Sequence, residues 1–342
     1  MEKLNWGIIG LGGIAQKFSE GFFDTPNAKL LAVASRNLEH LEKFKDQFNI
    51  EQKFSFNNYE DLINCKEIDI VYIALPNSFH HHWIVRSLKN KKNILVEKPA
   101  TLNIAESKDI SENLSNENLF FGEAFMYRNH PQIKLVLDMI VNNEIGNLLS
   151  MESSFGVNIL TKKKFYFFEK KKKIDKNNRL FNKTLGGGCI LDLGCYPSSF
   201  SLLIGSLIKK LDYKKLKISK INKEIGETGV DIDSCGELLF EEGFKSKINA
   251  SFKKDIGKKT IINGEKGSLI LNDTWLGNDN IVKINNNYKK VINIEKNKNI
   301  YSFQIATISK NILKGIYKPV YPSMSIEETL LNMKILENWL DG

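Results

Sequence analysis

Asn5-Trp6-Gly7-Ile8-Ile9-Gly10-Leu11-Gly12-Gly13-Ile14-Ala15 decides the fold. A short apolar strand runs into a GxGxxA pattern, and an amphipathic helix carrying Phe18, Phe22 and Phe23 follows. The glycines permit a tight turn and let backbone approach a pyrophosphate, while the N–H groups of the helix N-terminus face the anion. A glycine turn alone says little. Between a strand and a helix at the start of a βαβ unit it marks a dinucleotide-binding fold.

The stretches that follow repeat the strand–helix alternation. The second strand, Lys29 to Ser35, continues as Arg36-Asn37, where NAD-specific folds end this strand in an acid for the ribose 2′-hydroxyl. An arginine and a hydroxyl suit a 2′-phosphate, which favours NADP over NAD. Asp69 to Leu75 reads as a strand buried on both faces, stopping at Pro76-Asn77-Ser78-Phe79-His80 before another helix. Asn93-Ile94-Leu95-Val96-Glu97-Lys98-Pro99 is a further buried strand that ends in an acid, a base and a proline. The residue before a proline is pushed out of the helical region, so Lys98 sits extended or in a turn. That puts an ammonium group at the carboxyl end of a strand, the edge where open parallel sheets bind ligands. A helix over 103–116 and a strand over Leu119 to Gly122 complete a doubly wound parallel sheet. His80, His81 and His82 invite a metal, but adjacent helical positions point about 100° apart and cannot close on one ion. His80, nearest the strand end, is expected to face a cofactor.

After the crossover Glu123 to Pro131 the pattern changes. A helix from Ile133 to Val141 precedes shorter alternating segments, Leu148 to Val157, Ser246 to Phe252, Lys259 to Ile262 and Gly267 to Leu271, which predict one largely antiparallel sheet. The lysine-rich stretch Thr161 to Lys183 lacks periodicity and reads as a mobile, solvated loop. Gly186-Gly187-Gly188 then leads into a helix on which Asp192 and Tyr196, four apart, share a face. Such a pair can present a proton donor and its orienting partner, or serve as a helix-favoured acid and a core ring. Ser325-Ile326-Glu327-Glu328 reads as a capping box, and the amphipathic helix after it is expected to pack back on the body. The expected domains are a dinucleotide-binding domain over 1–122 and an α+β substrate and oligomerisation domain over 123–342.

The 342 residues are 42% hydrophobic and 26% charged, as in a soluble globular protein of two ordinary domains. The N-terminus is too short and polar for a signal peptide, and no apolar run approaches the roughly 18 residues of a membrane span. Cys65, Cys189, Cys195 and Cys235 show no metal-ligand spacing and read as free thiols. A cytoplasmic protein is expected. The net charge of +9 comes largely from lysine-rich segments with no readout element beside them, so neither nucleic acid nor a membrane is an expected partner.

Together these stretches resemble the Gfo/Idh/MocA family of glucose–fructose oxidoreductase, inositol dehydrogenase and rhizopine-catabolism proteins. The resemblance is carried by Gly10 to Ala15, Ala34-Ser35-Arg36, Pro76 to His80, Glu97-Lys98-Pro99, Glu123 to Arg128, Gly186 to Pro197, Ile262 to Gly267 and Pro322 to Glu327, and so spans nearly the whole chain. It implies an N-terminal Rossmann domain, a C-terminal domain on a large open sheet, and hydride transfer between nicotinamide and a carbinol or carbonyl carbon of a sugar, polyol or dihydrodiol-like compound. It makes Lys98 the catalytic lysine and Asp192 its companion. Tyr196 stands where one branch of the family, similar to dimeric dihydrodiol dehydrogenase and xylose dehydrogenase, has tyrosine and another has histidine. The implied cofactor contacts are Gly10, Gly12, Gly13, Ile14 and Ala15; Ser35 and Arg36; Pro76, Asn77 and His80; Glu97 and Lys98; and Arg128. A homodimer or higher oligomer is expected, because an open sheet with alternating apolar residues has a face to cover. The basic stretch Thr161 to Lys183 departs from the family pattern and bears on the substrate. The rival is a non-catalytic NADP-binding regulatory or redox-sensing protein, which would have no need of Lys98, Asp192 and Tyr196 together.

Overall fold

The computed structural model describes residues 2–115, 117–164, 168–208, 215–240, 243–277, 280–285, 288–294 and 299–342. The chain forms two compact units: Met1–His130 with Asn297–Leu330, and Pro131–Lys296 with Leu331–Gly342.

The first unit is built on a six-stranded sheet of β1 (Leu4–Ile9), β2 (Ala28–Ala34), β3 (Ser55–Phe56), β4 (Ile70–Ile73), β5 (Asn93–Val96) and β6 (Phe121–Glu123), in the order β3-β2-β1-β4-β5-β6. Every pair is parallel. The order reverses between β1 and β4, the point where such sheets open a crevice at their carboxyl edge. Ile9 is opposite Ile73, and Ile73 opposite Val96, so the turns after β1, β4 and β5 emerge side by side. Gly10 has φ +86°, and a Cβ there would lie 2.5 Å from the Ala74 carbonyl oxygen. Only glycine lets the first turn pass this close to the next strand. Beneath, Phe18 stacks on Tyr72 with centroids 3.8 Å apart. The helix Ile300–Leu313 belongs to this unit, tied down by Trp6 Nε1 donating to Ser309 Oγ at 2.9 Å. Asn37, Asn58 and Asn103 each cap a helix by accepting from the amide three residues on. The helix predicted over 103–116 runs Ile104–Leu114; Asn116 lies outside the described residues.

The second unit holds β7 (Leu148–Gly156), β8 (Thr161–Lys164), β9 (Phe168–Lys171), β10 (Lys217–Ile225), β11 (Asp231–Leu239), β12 (Lys245–Ser251), β13 (Thr260–Gly264), β14 (Gly267–Leu271), β15 (Asn280–Asn285) and β16 (Tyr288–Asn293). Eight of them form a sheet in the order β10-β11-β12-β7-β13-β14-β15-β16, antiparallel except where β12 meets β7. The segment predicted as a loop over Thr161 to Lys183 instead contains the antiparallel β8–β9 pair, because cross-strand pairing can organise lysine-rich residues that show no apolar alternation. Within it, residues 165–167 lie outside the described residues.

The outward face around β7, β11 and β12 also differs from expectation. It carries Glu152, Ser154, Asp233, Cys235 and Asn249, with Asn249 Nδ2 donating to Ser154 Oγ at 3.1 Å and to Glu152 Oε1 at 3.3 Å, whereas across β13 to β16 the same face keeps Ile261, Ile270, Val282 and Val291 in one row. Lys183–Gly205, 23 residues, is by length and composition apolar enough to cross a membrane, but 94% of its most apolar stretch is buried inside the protein. It is a core segment of this unit, wholly enclosed from Cys195 to Gly205.

Candidate active site

In the first unit the loops after β1, β2, β4 and β5 carry distinct chemistry. Gly12 and Gly13 are exposed, and a Cβ on either would meet nothing within 4 Å. Their backbone therefore faces open space at the N-terminus of helix Gly13–Glu20, whose first amides have no intrahelical acceptor. Ile14 is half-buried and Ala15 fully buried beneath this turn. A cleft of ≈ 380 Å³ opens beside it, lined by Gly12, Gly13 and Gln16 on one side and by His40, Lys43, Phe44 and Gln47 on the other. These last four recur at i, i+3, i+4 and i+7, one face of helix Leu38–Phe48. The sequence reading missed His40 and Lys43; that stripe was the available signal.

At the end of β2, Ser35 is buried and its hydroxyl accepts from the Asn37 amide at 3.1 Å, which leaves its own proton to donate. Arg36 is exposed, with its guanidinium 5.1 Å from the centroid of the Tyr59 ring. Burial pushes the Tyr59 phenol up, and the Arg36 charge opposes that shift. Among the described residues no carboxylate pairs with Arg36.

After β4, Pro76 is half-buried and Asn77 buried, opening the turn that leads into helix His80–Lys89. His80 is fully buried; Nδ1 lies 2.9 Å from the Pro99 carbonyl oxygen and Nε2 2.8 Å from that of Leu75. Its ring links the β4 and β5 turns rather than standing open in the crevice. His81 pairs with Asp109 at 2.7 Å and His82 is exposed.

At the end of β5, Glu97 is buried and accepts from the Tyr72 hydroxyl. Lys98 is half-buried. The next turn is anchored by Glu123, whose Oε1 accepts from the Ala100 amide at 3.0 Å. Arg128 is 1% exposed, with Nη1 on Glu328 Oε1 at 2.9 Å and on the Pro322 carbonyl at 3.3 Å. Glu328 closes the capping box legible in the sequence, through the Ser325 amide at 3.2 Å and the Ser325 hydroxyl at 3.3 Å.

In the second unit Asp192 and Tyr196 lie on one continuous helical run, but its first part, Ile190–Gly194, is a π-helical turn that passes into α-helix at Cys195. Single π turns of this kind recur at functional sites. Gly188 has φ +115°, and a Cβ there would lie 2.3 Å from Asp231 Oδ1. That approach lets Asp231 Oδ2 accept from the Ile190 amide at 2.6 Å and start the helix. Burial raises the Asp231 carboxyl and the neighbouring Cys189 thiol. Gly187 serves a second approach: a Cβ there would lie 2.7–2.8 Å from the carbonyls of Arg179, Leu180 and Asn182. The Arg179–Asn182 turn thus packs on the glycines, and Arg179 Nη1 reaches Asp192 Oδ1 at 3.0 Å. Tyr196 is 6% exposed, its ring 5.1 Å from Phe155 and 5.6 Å from Trp275.

Arg179 was not foreseen, although a signal existed. The chain has only four arginines among 49 basic residues, Arg36, Arg86, Arg128 and Arg179. Where lysine serves nearly everywhere, an arginine marks a place that needs the planar fork.

A parallel sheet in this order with an open glycine turn defines a dinucleotide-binding type of Rossmann domain. The comparisons with known proteins agree. Residues 4–125 match the model of the oxidoreductase family with an NAD-binding Rossmann fold, and residues 133–270 match the GFO/IDH/MocA C-terminal domain. The chain belongs to the Gfo/Idh/MocA family and is an oxidoreductase. It is 25% identical to a trans-1,2-dihydrobenzene-1,2-diol dehydrogenase of Xenopus tropicalis over 98% of this chain and 96% of the relative. It is 26% identical to a dTDP-3,4-didehydro-2,6-dideoxy-alpha-D-glucose 3-reductase of Saccharopolyspora spinosa, over 78% and 73%. Among solved structures, an aldose-aldose oxidoreductase from Caulobacter crescentus superposes with a TM-score of 0.84 at 18% identity, over 99% of this chain and 96% of that one. A 3-ketoreductase from Actinomadura kijaniata, in complex with NADP and TDP-benzene, gives 0.81 at 21% identity, over 98% and 96%.

Proposed function

We propose that this protein is an NADP-dependent dehydrogenase or reductase acting on a carbinol or carbonyl carbon of a sugar, polyol or dihydrodiol-like compound. The observation that carries the proposal is the shared edge of one parallel sheet, where the open Gly12-Gly13 turn and Lys98 follow neighbouring parts of the crevice. The glycine turn and helix N-terminus suit a pyrophosphate. Arg36 and the Ser35 hydroxyl suit a 2′-phosphate, with Lys43 adding positive charge on the far wall of the cleft. Arg128, buried against Glu328, supports the crevice from below in this scheme. When bound, NADP(H) supplies or accepts the hydride.

The protein's part is orientation and proton handling. In the reducing direction the Tyr196 phenol donates a proton to the developing alkoxide, and in the oxidising direction it accepts one. The Lys98 ammonium favours the phenolate, or carries the proton itself. Asp192, oriented by Arg179, holds the substrate hydroxyl or Lys98. The relatives that act on a dihydrodiol and on nucleotide-linked sugars support the substrate class. A cytoplasmic homodimer or higher oligomer completes the proposal. The row Ile261, Ile270, Val282 and Val291 on the outward sheet face, together with the family likeness, supports assembly, and light scattering at micromolar concentration tests it. The central test is a screen following NADPH absorbance across sugars, polyols, dihydrodiols and their carbonyl forms. Turnover on any of these is expected; NADPH that binds without turnover on the whole set would favour the regulatory reading.

A further inference from the structure

We infer that Glu123 is a positioning residue for Lys98: it clasps the turn carrying that lysine through the Ala100 amide, most firmly as a carboxylate. The role of Lys98 in this inference rests on the function proposed above.

Glu123 ends β6 directly beside Val96 at the end of β5. One oxygen, Oε1, accepts from the Ala100 amide at 3.0 Å, two residues past Lys98. The other, Oε2, accepts from the Thr329 hydroxyl at 2.9 Å. Thr329 lies in the first turn of helix Ile326–Asp341, which the Ser325–Glu328 capping box and the Arg128–Glu328 pair hold in place. The clasp therefore has a fixed far end. At its near end Ala100 is 1% exposed, so water cannot stand in for the carboxylate. On the other flank of the turn, His80 meets the Pro99 carbonyl. Two buried side chains thus hold the backbone of the two residues that follow Lys98.

A glutamine could make both of Glu123's contacts, its amide oxygen accepting from Ala100 and its amide nitrogen donating to Thr329. An acid in this buried place adds only a charge that comes and goes. Glu97 faces Glu123 and repels its negative charge, while Arg128 attracts it and is itself shared with Glu328. Tyr72 donates to Glu97, and Tyr301, its phenol pushed up first by burial and then by Glu97, closes the same cluster. The sum, led by burial, brings the Glu123 carboxyl up to about 7, within the working range of a neutral cell. As a carboxylate it holds both donors with charge-assisted bonds, which are roughly twice as strong as neutral ones. Protonated, one oxygen must donate toward Thr329, and the Ala100 amide is left on a neutral acceptor.

The test uses the full chain and needs no substrate. Amide exchange at Ala100 and competitive acetylation of Lys98 are followed by mass spectrometry from pH 6 to 8.5 in wild type, Glu123→Gln and Glu123→Ala. Wild-type Ala100 protection, corrected for intrinsic exchange, should rise about fivefold across neutrality. Lys98 labelling should show an inflection at the same pH. Glu123→Gln should keep protection but lose both pH dependences, and Glu123→Ala should lose protection throughout. Identical pH profiles in wild type and Glu123→Gln would overturn the inference, as would unchanged Ala100 exchange in Glu123→Ala. Failure of the NADPH screen would instead remove the proposed reaction and leave these measurements standing.

Discussion

Lys98 and the Asp192–Tyr196 pair are held by opposite means. Lys98 sits where a parallel strand ends, and hydrogen bonds to neighbouring backbone fix it: Glu123 on Ala100 and His80 on Pro99. Asp192 and Tyr196 sit on a helical run whose start depends on glycines that admit other chain segments, Asp231 against Gly188 and the Arg179 turn against Gly187. The first arrangement follows from sheet topology, so any strand ending at that edge presents its next residue to the crevice. The second depends on close packing between segments far apart in sequence. A substitution should disturb the first through chemistry and the second through fit.

The largest effect should come from breaking both at their chemical ends. Lys98→Met or Tyr196→Phe should each lower kcat by about 10²–10⁴-fold, the range of general acid–base catalysis. NADP affinity should hardly change, because the contacts proposed for its phosphates lie elsewhere. If the two groups act as one unit, the double mutant should be scarcely worse than the worse single one. Losses that multiply in steady-state kinetics would show independent roles. Near-normal kcat in Tyr196→Phe, with chemistry rate-limiting, would leave Lys98 as the proton carrier.

The clasp beside Lys98 predicts a sign as well as a size. Burial raises the Glu123 carboxyl from 4.5 to about 7, so between those values the folded chain holds a proton that the unfolded chain has lost. Folding stability must therefore fall as pH climbs from 4.5 to about 7 and level off above. At about 1.4 kcal/mol per pH unit, the drop from this group is on the order of 3 kcal/mol. Glu123→Gln should remove that slope and be the more stable protein at pH 8. Urea unfolding at pH 5 and pH 8 measures it; parallel slopes for the two proteins would mean that Glu123 does not titrate in this window.

The difference between the two regions also explains what could be read from the sequence. The glycine turn, the Ser35-Arg36 end of β2 and the Glu97-Lys98-Pro99 strand end are local patterns, and local patterns are enough for a parallel sheet with buried strands. Even the Ser325–Glu328 capping box was legible, since its partners are three residues apart. Arg128 could be singled out, but its burial against Glu328, two hundred residues on, could not be seen. Lys217–Ile225 and Tyr288–Asn293 went unread because each is exposed along much of its length and lacks the apolar alternation that marks a half-buried strand. Arg179 was hidden by the lysines around it, and its partner Asp192 lies across the glycine turn.

Two glycines set the comparison most sharply at the level of single atoms. Gly188→Ala must place a Cβ at a left-handed φ and 2.3 Å from Asp231 Oδ1, which breaks the start of the Asp192 helix. A loss of roughly 2–4 kcal/mol in urea unfolding is expected. Gly12→Ala meets no atom within 4 Å, so stability should change by less than about 0.5 kcal/mol. NADP binding should nevertheless weaken, because the methyl group would fill the space proposed for the pyrophosphate. Equal stability losses at the two positions would erase the distinction between an edge open to a ligand and a turn packed for fit.

The smallest expected effect is the most selective. Arg36 lies over the Tyr59 ring with no acidic partner among the described residues, so its charge is available to a 2′-phosphate. NADP should therefore bind more tightly than NAD, and Arg36→Ala should weaken NADP by about tenfold, roughly 1.4 kcal/mol, for one charge-assisted contact at an exposed site. NAD should be affected far less, since it presents only a hydroxyl there. The Arg36–Tyr59 contact gives a second, internal control. Burial holds the Tyr59 phenol up while the guanidinium opposes the shift, so Arg36→Ala should raise the phenol further. Ultraviolet titration can follow that change alongside the two dissociation constants. If NADP and NAD weaken together in Arg36→Ala, the arginine supports the crevice wall instead of reading the phosphate. If neither changes while Tyr59 still shifts, the stacked pair is a surface feature and the choice between the cofactors is made elsewhere, with Lys43 across the cleft the next residue to replace.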